Sequence, residues 1–147
     1  MKIDKTDVKI LKLLLSNARF SAREIARRIG VSPATVLSRI KSMENLKLIK
    51  FYTAILDHEK LGYELTAIIE ITVSKGKLLE MEREIANLKN VCAVYDVTGL
   101  TDAIVIAKFK KRKSLSSFVK KLLAMPYIER TNTRVVLTTV KEDFRLI

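Results

Sequence analysis

Residues 21–50 read SAREIARRIGVSPATVLSRIKSMENLKLIK. Ser21 followed by Glu24 has the spacing of a capping box, in which each side chain accepts from the other residue's backbone N–H, so a helix starts at Ser21. Ile25, Ala26 and Ile29 repeat at helical spacing. Gly30 suits the left-handed position that ends such a helix. Ser32 then offers an N-cap, and Pro33 occupies the first helical position, where its missing N–H is no loss. Val36, Ile40 and Met43 give a second helix, running to about Leu46, its apolar stripe. A helix, a turn containing glycine and a second helix make the helix-turn-helix pattern, whose second helix enters the DNA major groove. A hairpin used only for packing has the same pattern, and charge separates the two readings. Residues 1–50 carry twelve Lys/Arg against four Asp/Glu, a net +8 out of +12 for the whole chain. A basic excess concentrated on the reading unit is the electrostatic footprint of a nucleic-acid binder.

Working outward, residues 4–16 read as a helix started by Asp4 or Thr6, with Val8, Leu11, Leu14 and Leu15 on one face. It covers the back of the other two helices, which alone bury too little apolar surface. Ile49 to Ile55 is aromatic and β-branched and reads as a strand. Asp57 to Gly62 is a polar hinge. The chain has 147 residues, 48% hydrophobic and 30% charged, which fits a soluble globular chain of one or two small domains. No apolar run is long enough to cross a bilayer. The opening MKIDKTDVKI lacks a signal-peptide core, so a cytoplasmic location and no membrane partner are expected. Cys92 lies in an apolar run and is expected to be a buried small hydrophobe. One Cys and one His, His58, rule out a Cys/His zinc site within one chain, and no metal or other cofactor is expected.

From Tyr63 the periodicity changes. Leu65–Val73 reads as a strand, Lys77–Leu88 as a helix, Val91–Thr98 as a strand and Gly99–Thr101 as a turn. Asp102–Phe109 is a nearly all-apolar strand and so is expected at the centre of the sheet. Ser114 caps a helix through Ala124, and Thr131–Val140 is the last strand. The order β-α-β-β-α-β is that of the ferredoxin-like split fold. Two helices on one face leave the other face bare, and its apolar residues predict a partner subunit. The fold class is α+β, in three parts. Residues 1–50 are a helix-turn-helix (winged-helix-like) domain, 51–62 a linking strand and hinge, and 63–147 a ferredoxin-like domain.

The chain resembles the Lrp/AsnC (feast/famine) transcription regulators of prokaryotes and archaea. Asp4 to Leu15, Ala18-Arg-Phe-Ser21, Gly30-Val-Ser32, Val36 with Arg39-Ile40, and Ile49 with Tyr52-Thr-Ala-Ile55 carry the match. Leu61-Gly62-Tyr63 and Thr98-Gly99 with Asp102 extend it over essentially the whole chain. The resemblance implies a DNA-binding regulator whose C-terminal domain, of the RAM type, assembles subunits and takes an amino-acid effector between them. By the same resemblance Thr98, Gly99, Leu100, Thr101 and Asp102 line that effector site, with Thr131 and Thr133 adding hydroxyls. The alternative for this loop is a plain hairpin turn in which Asp102 caps the backbone. One departure stands out: where the family usually has glycine after the reading helix, this chain has Lys47. A positive φ there costs roughly 1 kcal/mol.

On a helical wheel of about 100° per residue, Val36, Ile40 and Met43 face the core. Ala34, Ser38 and Lys41 face away, flanked by Thr35, and these are expected to enter the groove. None is Asn, Gln or Glu, so bidentate readout of adenine or cytosine is not available from this face. Modest specificity, much of it from DNA shape, is expected. Arg39 sits near the core edge and is expected among the DNA contacts, reaching a phosphate or a guanine, with phosphate or structural anchoring ahead of base readout. Phosphate contacts are expected from Ser21, Arg23, Arg27, Arg28 and Ser32, with solubility the plainer role for each. Lys110-Lys-Arg-Lys113 reads as a solvated turn rather than a second nucleic-acid patch. A homodimer, growing to a tetramer or octamer, presents its reading helices to duplex DNA about one helical turn apart. Two other functions fit the architecture: a DNA-compacting protein of low specificity, and an enzyme like the related sirohaem decarboxylases. No nucleophile–base pair supports the enzyme, so no catalytic residue is assigned.

Overall fold

A capping box opens the first helix of the computed structural model, which describes residues 3–74 and 76–147. Asp4 Oδ1 accepts from the N–H of Thr6 and Asp7, and Asp7 Oδ2 accepts from the N–H of Asp4 at 3.0 Å. Helix α1 thus runs Lys5–Ser16, α2 Ala22–Ile29 and α3 Pro33–Asn45. Ile10, Ile25, Ala26, Val36 and Met43 are buried at their centre. Ile10 is the buried apolar side chain of α1, with Leu11, Leu13 and Leu14 packed beside it, while Leu15 is exposed. The core-facing stripe of α1 is therefore rotated from the one expected through Val8 and Leu15.

Helix α3 ends in a Schellman motif. Leu48 N–H donates to Met43 O and Lys47 N–H to Glu44 O, both at 2.9 Å, with Lys47 at φ 57. The positive φ considered for Lys47 is thus present, at a residue that carries a Cβ. Lys47→Gly is therefore expected to raise stability by about 0.5–1 kcal/mol. Urea unfolding checks it, and an unchanged or lower midpoint at constant slope would refute the strain.

Two compact units divide the chain, Met1–Ile55 with Lys141–Ile147, and Leu56–Val140. The divide falls inside the stretch 51–62 expected to link the halves. The final residues, expected within 63–147, gather with the first unit, where Arg145 Nη1 donates to Leu15 O at 3.4 Å. The expected strand Ile49–Ile55 is not formed: residues 50–57 make no ladder. β-rich composition is not enough, because a strand needs a neighbour to exchange backbone bonds, and Phe51 and Ile55 stand exposed. Tyr52 Oη instead donates to Glu44 Oε1 at 2.8 Å. Partial burial, with that carboxylate beside it, pushes the phenol up to about 12.

In the second unit β1 is Leu65–Val73, α4 Leu78–Ala86, β2 Val91–Asp96, β3 Ala103–Phe109, α5 Arg112–Leu123 and β4 Ile128–Val135. The sheet order is β2-β3-β1-β4, all neighbours antiparallel, which is the ferredoxin-like arrangement. Ala67, Ile69 and Ile71 of β1 and Ala103, Val105, Ala107 and Phe109 of β3 point to one face. Met81 and Ile85 of α4 and Leu115, Phe118 and Leu122 of α5 cover it. The opposite face carries half-buried Ile68, Ile104 and Ile106 with Tyr95. Glu70 there pairs with Arg134 at 3.0 Å and accepts from Asn132 at 2.8 Å.

Three local expectations are corrected. Strand β4 stops at Val135 rather than Val140, because Val136 N–H bonds Thr66 O and β1 offers little beyond. Helix α5 starts at Arg112, two residues before Ser114, with Lys111 rather than Ser114 as the N-cap and no side-chain cap bond. Cys92 is exposed, at the register shift between Val91 and Ala93. Among the described residues no helix is long and apolar enough to cross a membrane.

Candidate nucleic-acid interface and effector loop

The turn between α2 and α3 is built as its sequence dictates. Ser21 N–H and Oγ–H both donate to Glu24 Oε2, at 2.7 and 2.8 Å, and Ser21 Oγ accepts from Glu24 N–H at 3.2 Å. These bonds, the Ser21 N–H first, hold the Glu24 carboxyl below its ordinary value. Gly30 takes φ 73. Ser32 Oγ accepts from Thr35 N–H at 3.1 Å and lies 2.8 Å from Thr35 Oγ1. The hydroxyls of Ser21 and Ser32 are thus committed to caps.

Around this turn the cations are free to meet a ligand. Arg23, Arg27 and Arg28 are exposed on α2. The Arg28 guanidinium lies 4.3 Å from the centre of the Phe20 ring, which supports it from one face and leaves its N–H edge outward. On α3, Ala34, Ser38 and Lys41 are exposed and Thr35 half-buried. Leu37 joins them at 59% exposure. Sequence reasoning passed over Leu37, although it sits about 100° from Val36 on the wheel, at the margin of the outward face.

Arg39 is placed differently. Its Nη1 donates to Asp4 Oδ2 at 2.8 Å and lies 3.4 Å from both carboxylate oxygens of Asp7, which is fully buried. The guanidinium therefore ties α3 to the N-terminus of α1. The Asp4 carboxyl is held below its usual value, first by the Asp7 N–H and further by Thr6 N–H and Arg39. Part of this clamp shows in the sequence, two carboxylates three apart at a helix start and Arg39 on the core edge of α3, but not their meeting across 32–35 residues.

In the loop between β2 and β3, Asp102 is half-buried, and its Oδ2 accepts from Val73 N–H at 2.8 Å. Asp102 N–H and Thr101 Oγ–H both donate to Ile71 O, at 3.0 and 2.7 Å. Gly99 takes φ 124 and Leu100 is 98% exposed. Thr98 is exposed. Thr131 pairs with Ile71 and Thr133 with Ile69, so Thr131 and the loop share one end of the sheet. The backbone-capping arrangement of Asp102 is thus present, and it occupies one carboxylate oxygen.

Comparison with known proteins places this geometry. Residues 3–44 match the AsnC-type helix-turn-helix domain and 66–146 the Lrp/AsnC ligand binding domain. An uncharacterized HTH-type transcriptional regulator of Pyrococcus furiosus is 51% identical over 99% of both chains. The HTH-type transcriptional regulator Ptr1 of Methanocaldococcus jannaschii is 32% identical over 98% of both. A transcriptional regulator of Neisseria meningitidis, solved in complex with L-Met, superposes with a TM-score of 0.91 at 29% identity, covering 99% of this chain and 97% of that one. Both halves of the chain, the reading helices and the sheet domain, thus answer to one family, and the protein belongs to the Lrp/AsnC family of helix-turn-helix transcription regulators.

Proposed function

We propose that this regulator reads duplex DNA as a homodimer through the outward face of α3, and that its sheet domain takes an amino-acid effector. The observation that carries the reading is the exposed surface of Ala34, Leu37, Ser38 and Lys41, flanked by Arg23, Arg27 and Arg28. The arginines meet phosphates and set register, while α3 meets base edges. Arg39 acts by holding α3 against α1. The half-buried Ile68, Ile104 and Ile106 support pairing of subunits through the bare sheet face, with tetramers or octamers as higher assemblies. The L-Met complex of the Neisseria regulator supports an amino acid as effector, at residues 98–102 with Thr131 and Thr133 nearby. An effector at a subunit junction favours one assembly and thereby changes the spacing of the reading helices.

Repeated selection from a random duplex pool at two salt concentrations tests the reading. A palindromic site enriched at both salts supports a specific regulator. Binding without enrichment favours a DNA-compacting role, which the lack of Asn, Gln and Glu on the reading face fits. No binding at either salt overturns both.

Leu37 and Ala34 offer apolar contact to thymine C5-methyl groups. Replacing a contacted thymine by uracil in the selected site is expected to weaken binding about four-fold, the worth of one buried methyl at about 0.8 kcal/mol. Leu37→Ser should remove that difference. Equal affinities for both duplexes at every thymine would refute the contact.

A further inference from the structure

The segment Lys110–Lys113, expected to be only a solvated turn, borders a groove of about 610 Å³ between residues 87–90 and the first turns of α5. Lys89, Lys111, Lys113 and Lys121 line it above Phe118. No carboxylate contributes to the lining, and among the described residues none of these four ammonium groups has an acidic partner. Asn87 and Asn90 border it too, but their amides donate to Arg83 O and Lys108 O, each at 2.7 Å. Residues 108–124 contain seven Lys/Arg and no Asp/Glu.

This end of α5 also breaks a local rule. Lys111, Arg112 and Lys113 crowd the positive end of a helix that has no acid in its first turn and no side-chain cap. Like charge against the helix dipole is unfavourable at each position, and such uncompensated local conflicts are expected at functional or strained places. An anion in the groove removes the conflict by meeting both the lysines and the helix end. Lys113 and Lys121 stand two helical steps of four apart, so they face the groove as one stripe.

We propose that this groove is a second phosphate-binding surface, for the backbone of duplex DNA long enough to engage more than α3. The inference rests on the DNA-binding reading above. A backbone is favoured over a compact anion because the groove is open and its cations are flexible point charges. Both amides at its border already donate to the protein's own backbone, and lysine ammonium groups carry no base pattern, so the surface positions DNA without reading sequence.

The test uses the full chain with Lys89, Lys111, Lys113 and Lys121 all changed to Gln, beside a matched Lys→Arg variant and Arg27→Ala. Binding is measured against salt with mixed-sequence duplexes of about two and about six helical turns. With the long duplex, the Gln variant is expected to lose about 0.9 from the log–log salt slope for each phosphate contact removed, while the Arg variant keeps the slope. On the short duplex the Gln variant should match the wild type. Mass spectrometry of lysine acetylation on the unmodified protein should show these four lysines protected by the long duplex only. An unchanged slope, or acetylation unaffected by long DNA, overturns the groove while Arg27→Ala still weakens binding. Failure of the unmodified protein to bind either duplex overturns the DNA reading itself.

Discussion

Arg39→Ala is expected to lower the stability of the helical unit by about 2–3 kcal/mol, because it leaves the fully buried Asp7 carboxylate without its cationic partner. The guanidinium is partly exposed and Asp7 keeps the Asp4 N–H, so the figure stays below that for a wholly buried pair. Urea unfolding of Arg39→Ala, Asp7→Asn and the double variant measures the coupling. A double variant losing as much as the two singles together would show that the pair does not act as one unit. The pH dependence has a definite sign. Asp4 is depressed below its ordinary 3.8. Its contribution is therefore complete above the unfolded value and fades as pH falls through the lower folded one. Asp4→Asn should cost stability at neutral pH, and the gap from the unmodified protein should close only in acid below about 3.8. Because Arg39 joins α3 to α1, its loss should also weaken binding to every DNA sequence alike, without shifting base preference.

Removing both Arg27 and Arg28 is expected to reduce DNA affinity about 30-fold near 0.15 M salt and to lower the salt slope by about 1.8, the worth of two phosphate contacts. The two positions differ in kind. Arg28 stacks on Phe20, so Arg28→Ala also loses about 0.5–1 kcal/mol of cation–π contact. Arg27 is exposed and among the described residues has no such ring contact, which makes Arg27→Ala, about five-fold weaker by itself, the cleaner probe. Fluorescence anisotropy at several salt concentrations reads both quantities. A change in which base pairs are preferred would move these arginines from the backbone to the base edges.

The reading unit was legible because its signals are local. Ser21–Glu24, Gly30 and Ser32-Pro33 each act within one turn of chain, and the structure places a capping box, a left-handed residue and an N-cap at those positions. The order of the sheet elements was legible for the same reason, from periodicity. What escaped depends on partners distant in sequence. The segment 49–55 has strand composition but no strand beside it. Where β4 ends is set by where β1 begins. Cys92 looks apolar in its run, yet a register shift on an outer strand leaves it exposed. The Arg39 clamp spans α1 and α3, so the wheel alone could place the side chain but not its carboxylates. Asp102 reads as either a ligand group or a cap until Val73 N–H is seen to lie 2.8 Å away.

The sheet order has a consequence for how the molecule comes into being. Every core residue of the three helices lies between Leu11 or its neighbours and Ile49, so that unit closes through contacts short in sequence, the kind that form fast. The sheet cannot do so. Its inner strand β1 pairs on one side with β4, joining Ala67 to Val135. During synthesis that flank of β1 stays an unpaired edge until residues 128–135 have emerged, a template for wrong pairing between nascent copies. The helical unit thus gains its shape while the sheet domain is still open along one edge. Heating and refolding should accordingly return the helical signal well before the sheet signal.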